Sequence, residues 1–272
     1  MSIIIKRSLL LLLVLPCITL TAQGEQQMAK VKGGVYVPLY GNDITAVRVD
    51  DFYLDLYPVT NSDYLAFVKE HAEWKKSLVK GLFADGNYLR NWVSDTDLGE
   101  KVVPDAPVTN VSWFAAKSYC ECQGKRLPTM DEWEFAAMAD ETAADARKKK
   151  DYNKYILGWY EAPRTYKNPV GSTFKNYWGI YDLHGLVWEW TSDFNSVLLS
   201  GESRKGNDED ANLFCGAAAV GATDLMNYAA FMRYAFRASI KANYNVQNLG
   251  FRCAVDGNKK SNTYKVALDA TK

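Results

Sequence analysis

The amino-acid sequence predicts an exported α+β domain with little regular secondary structure. Three observations carry that expectation. A basic N-terminus runs into a short apolar stretch; alternating, glycine-led segments stand beside short, strongly capped helices; and the last hundred residues read as short strands set in long loops. The 272 residues are 48% hydrophobic and 24% charged, an ordinary globular balance with enough apolar material for one large core. Thirty-two basic residues balance 32 acidic ones, so no global field draws the chain to nucleic acid or an anionic membrane surface, and no nucleic-acid partner is expected.

Residues 1–23 read as a signal peptide. Lys6 and Arg7 precede an apolar run from Leu9 to Leu15 that is too short to span a bilayer, and Thr21, Ala22 and Gly24 supply small residues for cleavage. Cys17 offers an alternative, a lipidated anchor, although Pro16 stands before it where a small residue is usual. No later segment has eighteen uninterrupted apolar residues, so the mature chain is expected to be periplasmic or secreted, with no transmembrane segment.

Residues 24–256 are read as the domain. Gly33–Pro38 and Val47–Leu54 alternate and predict two strands of a hairpin or meander. Thr60 with Asp63 caps a first helix through Tyr64, Phe67 and Val68. His71, beside Glu70 at its end, reads as a solvated cap. Ser112 caps a second helix with Trp113, Ala116, Tyr119 and Cys120 on one face and Gly124 as its stop. Thr129 and Glu132 form a capping box for a third, short helix through Trp133–Ala136. The charged, alanine-rich stretch 140–150 lacks an apolar stripe and reads as a solvated helix end or loop, and 201–212 as a surface loop. The polar tail 257–272 is expected to fray.

Export changes how the cysteines are read. Without Cys17, an even set remains: Cys120, Cys122, Cys215 and Cys253, which spacing alone allows to pair in three ways. Asp182 and Glu189 bracket a glycine-containing turn, a combination of carboxylates and curved backbone that suits a hard cation such as calcium.

Three passages then occur in order: Pro107–Trp113 leading into Gly124–Thr129 and Asp131–Ala136; Gly179-Ile-Tyr-Asp-Leu-His-Gly-Leu-Val-Trp-Glu-Trp190; and Asn248-Leu-Gly-Phe-Arg-Cys-Ala254. Together with the Gly33–Gly34 strand and Tyr57–Asn61, they resemble the formylglycine-generating enzyme (sulfatase-modifying factor) family from about Val31 to Val255. The resemblance implies a C-type-lectin-like α+β fold. It implies one calcium site, with the side chains of Asp182 and Glu189 and the carbonyls of Gly185 and Val187 as ligands. It also implies a disulfide between Cys120 and Cys253, leaving Cys122 and Cys215 to form a second bridge, remain thiols or bind a soft metal.

The chain departs from its oxidase relatives in one respect. Those enzymes hold copper on two cysteines five positions apart, and here residues 216–252 contain no cysteine. The iron-dependent branch needs three histidines, and the chain has two, His71 and His184. Neither copper nor iron is therefore supported. The run Tyr228-Ala-Ala-Phe-Met-Arg-Tyr234 is similar to an exported, cysteine-poor branch linked with pyoverdine maturation and nitrite-reductase accessory proteins. Arg233, Arg237 and Arg252 recur among aromatic residues, a pattern that serves carboxylate recognition or stacking; Arg237 and Arg252 read as buried struts, which leaves Arg233 as the candidate for ligand recognition. The expected function is an accessory, maturation or ligand-binding module for a protein, a peptide or a small polar ligand. The alternative is an oxidoreductase of altered chemistry on a peptide-derived substrate, dependent on a metal or on Cys122 and Cys215, with Arg233 and Tyr228 as further candidates.

Overall fold

The computed structural model describes residues 27–39, 46–195 and 225–257. Cys17, Cys215, the loop 201–212 and all but the first residue of the tail lie outside them. The described part is a mixed α+β domain of short strands and five helices among long loops.

The opening strands are β1 (Met28–Val31), β2 (Gly34–Tyr36), β3 (Val47–Val49) and β4 (Phe52–Asp55). The single strand expected over 47–54 is thus two strands with different partners. β3 pairs antiparallel with β2, whereas β4 lies between β1 and the last strand, β7 (Ala254–Asp256), antiparallel to both. The break falls at Asp50 and Asp51, two successive exposed residues that interrupt the alternation. There the Asp51 carboxylate accepts the N–H of Gly33 at 2.9 Å, and a Cβ on Gly33 would come within 2.3 Å of the Val49 carbonyl oxygen. Only glycine permits that approach. β1 itself was not anticipated from the sequence.

The three expected helices form where their caps are. In α1 (Asn61–Glu70), Thr60 and Asp63 bond reciprocally and Tyr64, Phe67 and Val68 face inward. In α2 (Trp113–Cys122), the Ser112 hydroxyl accepts the N–H of Ala115 and the buried face is Ala115, Ala116, Tyr119 and Cys120. In α3 (Met130–Ala137), Thr129 and Glu132 close a second capping box.

Two further helices lie beyond the three expected, and the second corrects the expectation that the last hundred residues are short strands in long loops. α4 (Lys150–Glu161) begins where the charged loop ends, and α5 (Leu225–Ser239) occupies the segment expected to be irregular. α4 and α5 meet through Ile156, Tyr152 and Ala229, all buried. β5 (Trp188–Glu189) and β6 (Leu249–Gly250) pair in parallel behind them.

Two larger cores flank this sheet system. One gathers Tyr64, Phe67, Trp92, Tyr119, Trp190 and Phe251 around α1 and α2; the other packs Val31, Phe52 and Leu54 against Trp133 and Phe135 of α3. Within the first core a disulfide joins Cys120 to Cys253, with Cα atoms 5.5 Å apart and both residues fully buried. It ties α2 to the entry of β7.

Candidate functional site

The turn expected to hold calcium is occupied by protein partners. Glu189 is held by Arg252, whose Nε donates to both carboxylate oxygens at 3.1 and 2.9 Å and whose Nη2 donates to Oε1 at 2.8 Å; Trp133 Nε1 adds a bond to Oε2 at 2.8 Å. Arg252 spends its other donors on the carbonyls of Asp55, Leu56 and Tyr181, so it is the buried strut the sequence indicated. Asp182 adopts φ of 60° and accepts the N–H groups of Gly171 and Thr173, one on each oxygen. Gly185 has φ of 132°, and a Cβ there would press within 2.8 Å of the Trp159 ring. With the lone pairs of Glu189 filled and a guanidinium beside them, the residues present do not fit a calcium ion in this arrangement. Among the described residues, no group of three or more His, Cys, Asp or Glu side chains is placed to hold a metal.

The same turn borders a pocket of about 300 Å³ between α4, the 164–166 segment and α5. Its wall is made by Trp133, Trp159, Tyr160, Trp188, Arg233 and Arg237, with Arg164, Tyr166, Gln247 and Asn248 around them. Trp188 stacks on Phe236 of α5 at 5.0 Å and lies 5.0 Å from the Tyr160 ring.

Arg233 and Arg237 are four residues apart, so α5 projects both from one face. Both reach a single carboxylate, Glu134 of α3. Arg233 donates through Nε at 2.9 and 3.1 Å and Nη2 at 2.7 Å, and Arg237 through Nη1 at 2.7 Å. Both guanidiniums also lie over the Trp133 ring, at 5.7 and 5.2 Å. Burial pushes the Glu134 carboxyl up, but the two arginines outweigh it and hold the group at about 2. Arg233 and Arg237 are both buried, at 2% and 5% exposure, and no local pattern joins either to Glu134 about a hundred residues earlier.

A polar chain continues inward. Arg233 Nη1 donates to the Tyr160 hydroxyl at 3.0 Å, and that oxygen lies 3.4 Å from His184 Nδ1, whose Nε2 lies 2.9 Å from the Ala137 carbonyl. The arrangement makes His184 a neutral ring with its proton on Nε2. Burial, then the charge of Arg233, depresses it to about 3. Two guanidiniums against the one carboxylate of Glu134, which lies behind the wall, leave an excess of positive charge there; among the described residues the carboxylate that lines the pocket is Glu189, and it is balanced by Arg252.

The other candidates fall elsewhere. Tyr228 is 43% exposed on α5 and does not line the pocket. Cys122 ends α2, and its Sγ lies 3.1 Å from His71 Nε2. His71 is indeed the C-cap of α1, but its ring packs on Phe67 at 4.7 Å and meets that thiol, so it is engaged with side chains and not simply solvated. Cys215 lies outside the described residues. Sequence reasoning missed Glu134, Tyr160 and His184 as members of the polar chain; the one available signal was the spacing of Arg233 and Arg237.

The family model described as "Sulfatase-modifying factor enzyme 1-like domain" matches residues 17–257. The inactive C-alpha-formylglycine-generating enzyme 2 of Bos taurus is 30% identical over 251 residues, covering 78% of this chain and 79% of its own. The formylglycine-generating enzyme of Streptomyces coelicolor is 27% identical over 280 residues, 88% of each chain. Among solved structures, PvdO from Pseudomonas aeruginosa matches 84% of this chain and 94% of its own at 20% identity, with a TM-score of 0.47. A family match that runs through nearly all of the described elements leaves one conclusion: the chain belongs to the sulfatase-modifying factor enzyme 1-like family, with the fold of the formylglycine-generating enzymes.

Proposed function

We propose that this protein is an exported, non-oxidase member of the family, an accessory or maturation module that holds an anionic polar ligand in the pocket beside α5. The ligand class is a carboxylate-bearing peptide or small molecule. One observation carries the reading: Arg233 and Arg237 share the single carboxylate of Glu134 at the wall of an aromatic pocket. A buried excess of positive charge is costly unless an anion completes it, and a planar guanidinium over an indole suits a carboxylate flanked by apolar groups. The absence of cysteine from 216–252 supports a non-oxidase role, and a Bos taurus relative is itself named inactive.

Intrinsic tryptophan fluorescence, titrated with an acetylated dipeptide bearing a free C-terminal carboxylate and with its amide, tests the reading. The acid should bind about 10-fold more tightly than the amide, and Arg237→Gln should remove that preference, a change of about 1.4 kcal/mol. Equal binding of acid and amide would overturn the anion assignment. Conversion of a cysteine in a sulfatase-derived peptide to an aldehyde would overturn the non-oxidase role. Export is tested by N-terminal sequencing of protein from the periplasm or medium, which should begin near Gly24.

A further inference from the structure

The pocket beside α5 has a second cationic end. On the reading of this pocket as an anion site, we propose that it selects a dicarboxylate: one carboxylate is held at Arg233 and Arg237, and the other is met at the mouth by Arg164, the residue that sets this specificity. Arg164 lines the pocket from the exposed turn between α4 and the short 3₁₀ segment Thr165–Lys167. Its charge is uncommitted. Among the described residues its guanidinium forms no hydrogen bond and no ion pair, with Glu161 of α4 or any other carboxylate. Arg126, Arg147, Arg233, Arg237 and Arg252, by contrast, each meet a carboxylate.

The backbone holds the residue in place. Pro163 restricts its own φ, and Arg164 follows at φ 59° and ψ 29°, a left-handed conformation that glycine or asparagine adopts with less strain. The next residue anchors the turn. Thr165 Oγ1 donates to the Leu186 carbonyl at 2.8 Å, and Leu186 belongs to the segment that forms another wall of the pocket. A long cation kept in a conformation that suits glycine, at the rim of a cavity and with its charge unpaired, serves a ligand better than it serves the turn.

The charge balance calls for two negative groups. Four guanidiniums, those of Arg164, Arg233, Arg237 and Arg252, stand in or directly behind the wall against the carboxylates of Glu134 and Glu189. Arg252 is engaged by Glu189, and Glu134 is shared by Arg233 and Arg237. One positive charge is therefore left at the inner end and one at the mouth. A monoanion satisfies only one of them. Two carboxylates a few bonds apart satisfy both, and about 300 Å³ admits either an acidic residue at the C-terminus of a peptide or a small free dicarboxylic acid. The planar fork of arginine suits a carboxylate at each end.

Calorimetric titration of the full mature chain at fixed ionic strength compares N-acetyl-Ala-Glu with N-acetyl-Ala-Gln, two peptides with a free C-terminus that differ only in the second carboxylate. The glutamyl peptide should bind about 5-fold more tightly. Arg164→Gln should abolish that difference while leaving the glutaminyl peptide's affinity, and its preference over its own amide, unchanged. Arg164→Asn, which suits the left-handed turn, should behave in the same way, and the urea midpoint reports that each variant is folded. Lys167→Gln removes an exposed charge from the same segment but outside the pocket lining, and should leave the difference intact. N-acetylglutamate binding as tightly as the glutamyl peptide would assign the site to a free dicarboxylate, and weaker binding would assign it to a peptide end; either supports a site for two anions. Equal binding of the two peptides to the wild type, a difference that survives in both Arg164 variants, or the same loss in Lys167→Gln would overturn the proposal while the preference for acid over amide stands. Loss of that preference in the wild type is the separate result that would overturn the anion reading beneath it.

Discussion

Acidification from pH 8 to pH 5 should destabilise the protein chiefly through His184. The ring is 2% exposed, and each of its nitrogens faces a fixed partner. Nε2 donates to the Ala137 carbonyl, and Nδ1 must accept from Tyr160, because that hydroxyl oxygen already receives an N–H from Arg233. A second proton on His184 would leave the tyrosine hydroxyl without an acceptor and set two positive charges against the one phenolic oxygen. Burial first, and the charge of Arg233 second, hold the group at about 3 against 6.5 in the unfolded chain. Between those values the unfolded chain binds a proton that the folded chain refuses, so stability is complete above pH 6.5 and is lost as pH falls toward 3. At pH 5 the loss amounts to about 2 kcal/mol. Glu134, at about 2 against 4.5, acts in the same direction but only below pH 4.5, and adds a few tenths of a kcal/mol at most at pH 5. His184→Gln keeps a donor and an acceptor but cannot charge. Urea unfolding at the two pH values should therefore show the wild type losing about 2 kcal/mol more than the variant. A pH dependence equal within about 0.5 kcal/mol in the two proteins would refute the argument.

Two further outcomes follow from the core and the turn. The Cys120–Cys253 bridge closes a sequence separation of 133 residues, so Cys120→Ala with Cys253→Ala should cost about 3 to 5 kcal/mol in urea unfolding; an unchanged midpoint would show that the bridge does not restrain the unfolded chain. Calorimetric titration with calcium should give no saturable heat, since Arg252 and Trp133 take the Glu189 oxygens; one equivalent bound by the wild type and lost in Glu189→Gln would restore the calcium assignment.

What was legible in the sequence was local. Thr60 with Asp63, Ser112 with Ala115, and Thr129 with Glu132 lie within one turn of each other, and each marked a helix that exists. α4 has no side-chain cap at Lys149, and its buried face of Tyr152, Asn153 and Ile156 follows directly on a charged loop, which hid its start. α5 was missed for a different reason. Its inward face carries Ala229, Ala230, Arg233, Tyr234 and Arg237, and an apolar pattern counts two of those as surface residues. They are inside because of Glu134, 99 residues before Arg233, and no local rule joins the two. The motif around Glu189 was visible, but whether its carboxylate meets a cation or Arg252 depends on β5 and β6 lying side by side. The meeting of Cys122 with His71 likewise depends on how α1 packs on α2, which their spacing along the chain does not reveal.

The place of β7 sets the order in which the molecule can become whole. β4 is made early, yet its second neighbour arrives only with Ala254–Asp256, and the Asp55 carboxylate waits for the N–H of Cys253, 198 residues later. Until then one side of β4 is an open edge, and the carbonyls of Asp55, Leu56 and Tyr181 lack the guanidinium of Arg252. A chain emerging from its N-terminus therefore stays unlatched through nearly the whole of its synthesis, and the latch is its final described strand. Clipping a handful of residues behind Gly250 would undo the closure that the preceding two hundred had prepared.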